Sequence, residues 1–408
     1  MKQKATWFLL LSTSLLLGSC SWLNNAEDIY DESEASSTEQ VSSSAGHRVN
    51  DDASEDSQSS PSSSAVEDDT DDEASESSSS EEAPALTVAD YFPLTTGYAG
   101  EFAGTGNEYA GFSRTYDYIE DDTIYMRTNN GGTSVLELVE VTEDAVRVVY
   151  TQPEFYAHEK IDAAALIDPE NTETLLEAPI ALGHSWETGL GTTREITAIG
   201  VPMSTQNGLY DTIEVTEDTG DFVNKEYYAA GVGLVYASSE STDPDAPYTV
   251  VQDLAELSTE GWAEPVSVYY PVAKDEYTQA NESVNITTND DMTAAFTSLF
   301  QSENDSRPQL LPADAAIQSL TTETNEETFE KTLYVDFSSA ITALADDEWG
   351  MQKLNSIMAS LKSYYNADYI EPRIDGDPIE IDGLVGLNEA NPVFEIPESV
   401  MNASMIEE

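Results

Sequence analysis

The sequence predicts an α+β chain in which an antiparallel β-rich region precedes a smaller region of mixed strands and helices. Three observations predict this. From Thr87 to about Leu257, Tyr, Val, Thr and Ile dominate, Gly, Asn and Asp interrupt at short intervals, and no helical period is sustained. After Trp262, runs with period 2 alternate with two stretches of helical period. Ahead of both, Asn24 to Glu82 is built mostly from Ser, Asp, Glu, Ala and Thr, with no aromatic residue after Tyr30, so it has too little apolar surface to offset the entropy of ordering. The domain plan that follows is a leader at 1–19, an acidic, Ser-rich disordered linker at 20–86, the β-rich region at 87–258, the α+β region at 265–394 and an acidic tail at 395–408.

In the first folded region, Val135–Val141 and Ala145–Thr151 flank Thr142-Glu143-Asp144 and read as a hairpin. Further strands are expected at Thr193–Ile199, Thr212–Thr216 and Glu226–Tyr236, the last broken at Gly231 and Gly233, with one short helical turn at Asp162–Ile167. An antiparallel sheet, curved or sandwiched, accounts for these runs. Tyr91-Phe92-Pro93-Leu94 with Gly97-Tyr98, and Leu182-Gly183-His184-Ser185-Trp186, are aromatic corners. They read as core anchors at strand ends, with sugar or peptide binding as the rival reading.

In the second region, Val266, Val268 and Tyr270 share one face of a strand that Pro271 is expected to end. Asn289 or Asp290 caps a helix whose apolar positions Met292, Ala295, Phe296 and Leu299 form one stripe. Ala316–Thr322 and Lys331–Phe337 form a hairpin, and a second amphipathic helix spans Glu348–Tyr364 with Leu354, Ile357, Met358, Leu361 and Tyr364 on one face. A last strand pair, Tyr369–Ile374 and Ile379–Ile381, turns at Asp375-Gly376, with Pro372 pointing to an edge position. The order β-α-β-β-α-β predicts a small sandwich with two helices on one face of a sheet.

The formal charge is −64, from 79 acidic and 15 basic residues. Such a chain is repelled by polyanions, so nucleic acid is excluded as a partner. Lysine is scarce even where the sequence is otherwise globular, which fits surroundings of high salt or high pH. In the salt case, screening relieves self-repulsion, so the melting temperature is expected to rise as salt approaches molar levels, and a flat melting temperature would refute this. Cys20 is the only cysteine, which leaves stability to packed cores rather than disulfides and excludes a cysteine-based zinc site.

The amino terminus has a basic start, an apolar run from Trp7 to Leu17 and then Leu17-Gly18-Ser19-Cys20. This resembles the bacterial lipoprotein signal, and the resemblance implies cleavage before Cys20 and diacylation of its thiol, two acyl chains being enough for stable anchoring. An ordinary secretory signal with an incidental cysteine is the competing reading. Downstream, about 60 linker residues would span roughly 45 Å as a neutral coil, and further with carboxylate repulsion.

Val266-Ser267-Val268-Tyr269-Tyr270-Pro271, Leu333-Tyr334-Val335-Asp336-Phe337-Ser338, the long helix, and Ile374-Asp375-Gly376 with Leu384–Leu387 resemble the GerM module of sporulation and germination lipoproteins. The likeness runs from about Pro265 to Phe394. The Gly-Pro usual after the first helix is absent at Leu299–Ser302, and Pro372 interrupts the later strand. The resemblance implies a non-catalytic module, related to ring-building domains, used for protein assembly or envelope contacts.

Motifs of catalysis are wanting. The three histidines, His47, His158 and His184, form no His-Glu-x-x-His pair, and neither a Gly-x-Ser-x-Gly elbow nor a phosphate loop occurs. Gly104-Thr105-Gly106, Gly189-Leu190-Gly191 and Gly231-Val232-Gly233 read as turns. Carboxylates are too abundant for any one pair to single out glycosidase chemistry, and Asp375-Gly376-Asp377 with Asp382 lacks EF-hand spacing. No catalytic, cofactor-binding or metal-binding residue is therefore assigned, and lipidation at Cys20 is the one site expected. Three classes remain: a tethered scaffold with a protein partner, a binder of peptidoglycan or other wall carbohydrate, and a hydrolase using an acidic pair.

Overall fold

The computed structural model describes residues 86–167, 172–189, 191–303 and 307–405. Cys20, the leader, the linker up to residue 85 and the last three residues of the tail lie outside the described residues.

A 3-10 helix at Val88–Tyr91 leads into twelve antiparallel strands. The first six are β1 (Ala99–Thr105), β2 (Phe112–Glu120), β3 (Thr123–Asn129), β4 (Ser134–Val141), β5 (Ala145–Pro153) and β6 (Glu173–Glu177), with the short helix α1 (Ala163–Leu166) before β6. The second six are β7 (Ser185–Glu187), β8 (Thr193–Ser204), β9 (Leu209–Asp218), β10 (Phe222–Ala229), β11 (Gly233–Ser241) and β12 (Thr249–Ser258). Both sets are meanders, and β1 pairs with β12, so the sheet order is β6-β5-β4-β3-β2-β1-β12-β11-β10-β9-β8-β7.

This order forces curvature. Laid flat, twelve strands would span about 50 Å. The chain between the two edge strands, residues 178–184, reaches at most about 25 Å. The sheet therefore curls until β6 and β7 meet, and side chains close the seam: Trp186 Nε1 donates to the Thr174 carbonyl at 3.0 Å, and the Gly189 N–H donates to Glu173 Oε2 at 2.8 Å. The result is a near-barrel rather than a sandwich.

One end of its interior is apolar, with Tyr116, Ile124, Met126, Val139, Val146, Leu176, Ile196 and Ile213 packed around Val88 of the leading 3-10 helix and Phe92 directly after it. β2 to β5 are also buried on the outside, where Tyr118, Tyr125, Leu136, Leu138 and Val149 meet Phe155 and, more peripherally, Ile161. The hairpin expected at 135–151 is present as β4 and β5, and the glycine break of Glu226–Tyr236 becomes the turn between β10 and β11.

From Ser258 the chain passes through Gly261 into β13 (Trp262–Ala273). Gly261 has φ +96°, and a Cβ there would lie 2.2 Å from the Ile286 carbonyl oxygen, so only glycine fits this crossing. The elements that follow are β14 (Glu276–Ile286), α2 (Met292–Gln301), β15 (Ile317–Thr324), β16 (Lys331–Phe337), a 3-10 segment at Ser339–Asp346 and α3 (Gly350–Tyr364). After these come β17 (Tyr369–Ile374), β18 (Asp377–Pro378), β19 (Glu380–Ile381), β20 (Val385–Gly386), α4 (Glu398–Met401) and β21 (Ser404–Met405).

Several expectations need correction here. The β-α-β-β-α-β order misses β14, whose polar-rich sequence hides Tyr277, Ala280, Val284 and Ile286. There are separate sheets, β13-β14-β21 and β15-β16-β17-β18, rather than one. Pro271 does not end its strand, because β13 is an edge strand and tolerates proline. The cap of α2 is Asp291, whose side chain accepts from the Thr293 N–H at 2.9 Å, and not Asn289 or Asp290.

β17 lies between β16 and β18, so Pro372 is not on an outer strand. The Pro372 carbonyl accepts from Ile379 on the side away from β16, and its missing N–H faces that same side, where β18 covers only Arg373 and Ile374. Asp375-Gly376 forms the turn, with φ +51° and +92°, but the strand it leads into is Asp377–Pro378, and Glu380–Ile381 pairs instead with Val385–Gly386. The acidic tail folds back: Val400 is buried against Tyr269, Tyr277 and Ala359, and β21 pairs with β14.

α3 is buried on more than the expected stripe. Leu354, Ile357, Met358 and Leu361 join the core that includes Leu333, Val335, Phe337 and Ile370. On another side, Ser360 Oγ accepts from the Tyr269 N–H at 3.0 Å and Asn355 donates to the Tyr277 hydroxyl at 3.1 Å. Small and polar residues let the helix approach the β13-β14 sheet closely while satisfying buried groups.

Candidate functional site

The aromatic corners resolve first. Tyr91, Phe92, Tyr98 and Trp186 are all buried in the near-barrel core, as strand-end anchors would be, and do not form a sugar-binding platform. His184 lies beside Glu177 and Trp186, away from His158. Asp375 accepts from the Gln318 side chain, while the Gly376 N–H donates to Asp336 Oδ1 at 3.0 Å. Among the described residues no group of three or more His, Cys, Asp or Glu is placed to hold a metal ion, and no helix is long and apolar enough to cross a membrane.

What the fold assembles instead is a buried joint between the sheet and the C-terminal region. Arg127 of β3 donates from Nε to Asp117 Oδ2 of β2 at 2.7 Å and from Nη2 to Glu264 Oε2 of β13 at 2.8 Å. Its Nη1 donates to the Tyr156 carbonyl at 3.0 Å. Glu264 also accepts from Trp262 Nε1 at 2.9 Å and from the Tyr364 hydroxyl of α3 at 3.0 Å. The Tyr364 oxygen in turn accepts the His158 N–H at 2.9 Å. The His158 ring stacks on Tyr118 and lies 3.6 Å from Asp117.

The electrostatics follow from burial and pairing. Burial raises the pKa of Asp117, but Arg127 and His158 beside it more than offset this and hold the carboxyl down at about 2. A carboxyl with a depressed folded-state pKa stabilises the fold above its unfolded value, near 4, and that contribution is lost as pH falls from there toward 2. Burial and Glu264 push the Tyr364 hydroxyl well up, so it remains a donor.

Loop 287–291 completes the joint. Beyond Thr115 the β1-facing edge of β2 has no strand partner, and the loop takes that place. Asn289, at φ +68°, donates its backbone N–H to the Asp117 carbonyl at 3.0 Å, and its side chain exchanges hydrogen bonds with Ile119. Thr288 Oγ1 donates to the Tyr116 carbonyl and accepts from Gly97. Leu86–Glu408 accordingly cluster as one unit.

Two further features are chemically distinctive. The outward face of β15-β16-β17 carries a shallow groove of about 380 Å³ lined by Ser319, Thr321, Glu323, Tyr334, Asp336, Arg373 and Gly376. Arg373 lies over the Tyr334 ring, 5.0 Å from its centre, and Tyr334 donates to Glu323 at 3.2 Å. Inside the near-barrel, Arg194 is buried among Glu173, Glu217 and Glu226, at 3.9, 3.5 and 3.1 Å.

None of these charged residues was singled out from the sequence. The usable signal was parity: Arg127 shares a strand face with Tyr125, Arg114 with Phe112 and Tyr116, and Glu137 with Val135 and Val139. In so acidic a chain an arginine within an alternating apolar run marks a buried partner.

Fold and geometry thus define a curled β-meander locked onto a small α+β module. Residues 267–380, within that module, match the family described as Germane, sporulation and spore germination, and the module is a Germane domain. Among solved structures, the chain is similar to the tandem GerMN domains of the sporulation protein GerM from Bacillus subtilis, at 20% identity and TM-score 0.24, over 35% of this chain and 47% of that one. The chain thus spans less than half of that structure. It is also similar to an exported protein of YmcC-like fold from Bacteroides fragilis, at 10% identity and TM-score 0.21, over 40% of this chain and 95% of that one. A lipoprotein from Parabacteroides distasonis matches at 14% identity and TM-score 0.23, over 43% of this chain and all of that one. Comparison with curated proteins gives no match.

Proposed function

We propose that this chain is exported, diacylated at Cys20 and held outside the membrane on its acidic linker, where its Germane domain binds a protein of the cell envelope without catalysis. The description of the matched family, sporulation and spore germination, supports a role in one of those processes. The observation that carries the reading is the division of labour in the Germane domain. One side of its β15-β16-β17 sheet is packed into the core and another part of the module is joined to the near-barrel, while the outward face presents a groove of hydroxyl, carboxylate and guanidinium groups. Such a polar, preformed face suits specific protein contact more than burial of an apolar ligand.

Crosslinking in living cells tests this. A single protein is expected to be captured reproducibly and lost in the Tyr334→Ala, Arg373→Glu double variant with its melting temperature unchanged. Recovery of wall fragments without a consistent protein would overturn the reading in favour of the wall-carbohydrate one. For the anchor, Cys20→Ser is expected to abolish fatty-acid labelling and to release the protein or leave it unprocessed; persistence of labelling would refute it.

A further inference from the structure

The polar end of the near-barrel holds two opposite charges that face one cavity without meeting. The cavity, about 70 Å³, is lined by Arg114, Thr128, Glu137, Asn224, Glu226 and Gln252, with half-exposed Tyr109 as its most exposed wall residue. Most of its charged wall is already committed. Arg194 is shared among three glutamates, Glu226 accepts from Arg194 and from the Tyr228 hydroxyl, Gln252 donates to the Ala110 carbonyl, and Asn224 accepts from Ser239.

Arg114 and Glu137 are not committed in this way. The Arg114 guanidinium lies against the Phe112 and Phe102 rings and donates from Nε to Thr128 Oγ1 at 3.2 Å, and among the described residues no carboxylate lies within ion-pair distance of it. Glu137 is 4% exposed, and its carboxyl makes no hydrogen bond to any described residue. A buried carboxyl without a donor is costly, and a guanidinium has five donors to satisfy. A simple anion would satisfy Arg114 and leave Glu137 bare; a simple cation would do the reverse. A ligand carrying both charges a few ångströms apart answers both.

We propose that this cavity binds the zwitterionic head of a small α-amino acid, with its carboxylate on Arg114, its ammonium on Glu137 and its side chain directed toward Tyr109. The volume supports the size class: an enclosed cavity of about 150 Å³ takes a benzene ring, so about half of that holds an amino-acid head and little more. Burial, with Glu226 adding to it and Arg114 opposing it, pushes the Glu137 carboxyl up to about 7. An ammonium beside it favours the ionised form, so binding near neutral pH releases a proton.

The experiment uses the full-length protein at pH 7 with glycine, alanine, acetate and methylammonium as separate probes, read by melting temperature and by titration calorimetry in buffers of different ionisation enthalpy. Glycine or alanine is expected to give a saturable rise in melting temperature with proton release, and acetate or methylammonium alone a much smaller one. Arg114→Gln and Glu137→Gln are each expected to weaken glycine binding roughly tenfold or more while melting cooperatively without ligand. The proposal is overturned if no probe gives a saturable effect, if acetate alone matches glycine, or if either variant binds glycine as the parent does.

Discussion

Arg127→Ala is expected to destabilise the protein by about 3–5 kcal/mol and to uncouple the near-barrel from the Germane domain. Among the described residues the guanidinium is the one cation paired with both Asp117 and Glu264, and all three side chains are nearly inaccessible. Removing it leaves two buried carboxylates facing each other, and each must take a proton or admit water. Truncating one member of a buried pair costs far more than the pair contributes when intact. Calorimetry should show the single transition of the parent splitting in two, and limited proteolysis should open the crossing at 258–262. The loss should shrink as pH falls toward 2, because Asp117 is then protonated in the parent as well. Arg127→Lys keeps the charge but not the fork that serves Asp117, Glu264 and the Tyr156 carbonyl together, so it should restore only part of the stability. A parent-like melt for Arg127→Ala would refute this account of the joint.

Glu137→Gln should act in the opposite direction. With the folded-state pKa raised from 4.5 to about 7, the protonated carboxyl is compatible with the fold, and stability is lost as pH rises between these values. That span corresponds to roughly 3 kcal/mol. Glutamine has nearly the same shape and never ionises, so the variant is expected to be more stable than the parent by roughly 2–4 kcal/mol at pH 8 and equal to it near pH 4.5. Denaturant melts at the two pH values measure both numbers. No gain at pH 8 would mean that the carboxyl finds a donor in solution. A residue that costs stability at neutral pH is the kind retained for binding, which accords with its place in the cavity.

The local elements were legible to the degree that their pattern was local. The Val135–Thr151 hairpin, the helix ending at Tyr364 and the Asp375-Gly376 turn each follow from periodicity or turn chemistry within about fifteen residues. β14 was not, because Glu276–Ile286 interleaves its four buried residues with Thr, Gln, Asn, Glu and Ser. Neither was the all-round burial of α3, since Asn355, Ser356 and Ser360 read as a solvent face until their partners on β13 and β14 are known. Pro372 read as an edge position, yet its strand lies between β16 and β18, and only the fold shows that β18 stops short of it.

By itself, the sequence determined the β-rich region, the later α+β module with its Germane character, and a strongly acidic charge balance, all of which depend on composition and short-range period. Tertiary structure alone decided that the twelve strands curl edge to edge, that Arg127 pairs both with Asp117 and with Glu264, the latter 137 residues further along the chain, and that Arg114 and Glu137 face one cavity unpaired. The physical reason is distance along the chain. Strand parity tells which side of a sheet a charge occupies, but whether it finds a partner there depends on strands far away in sequence, and for a buried charge that partner decides both its stability and its use.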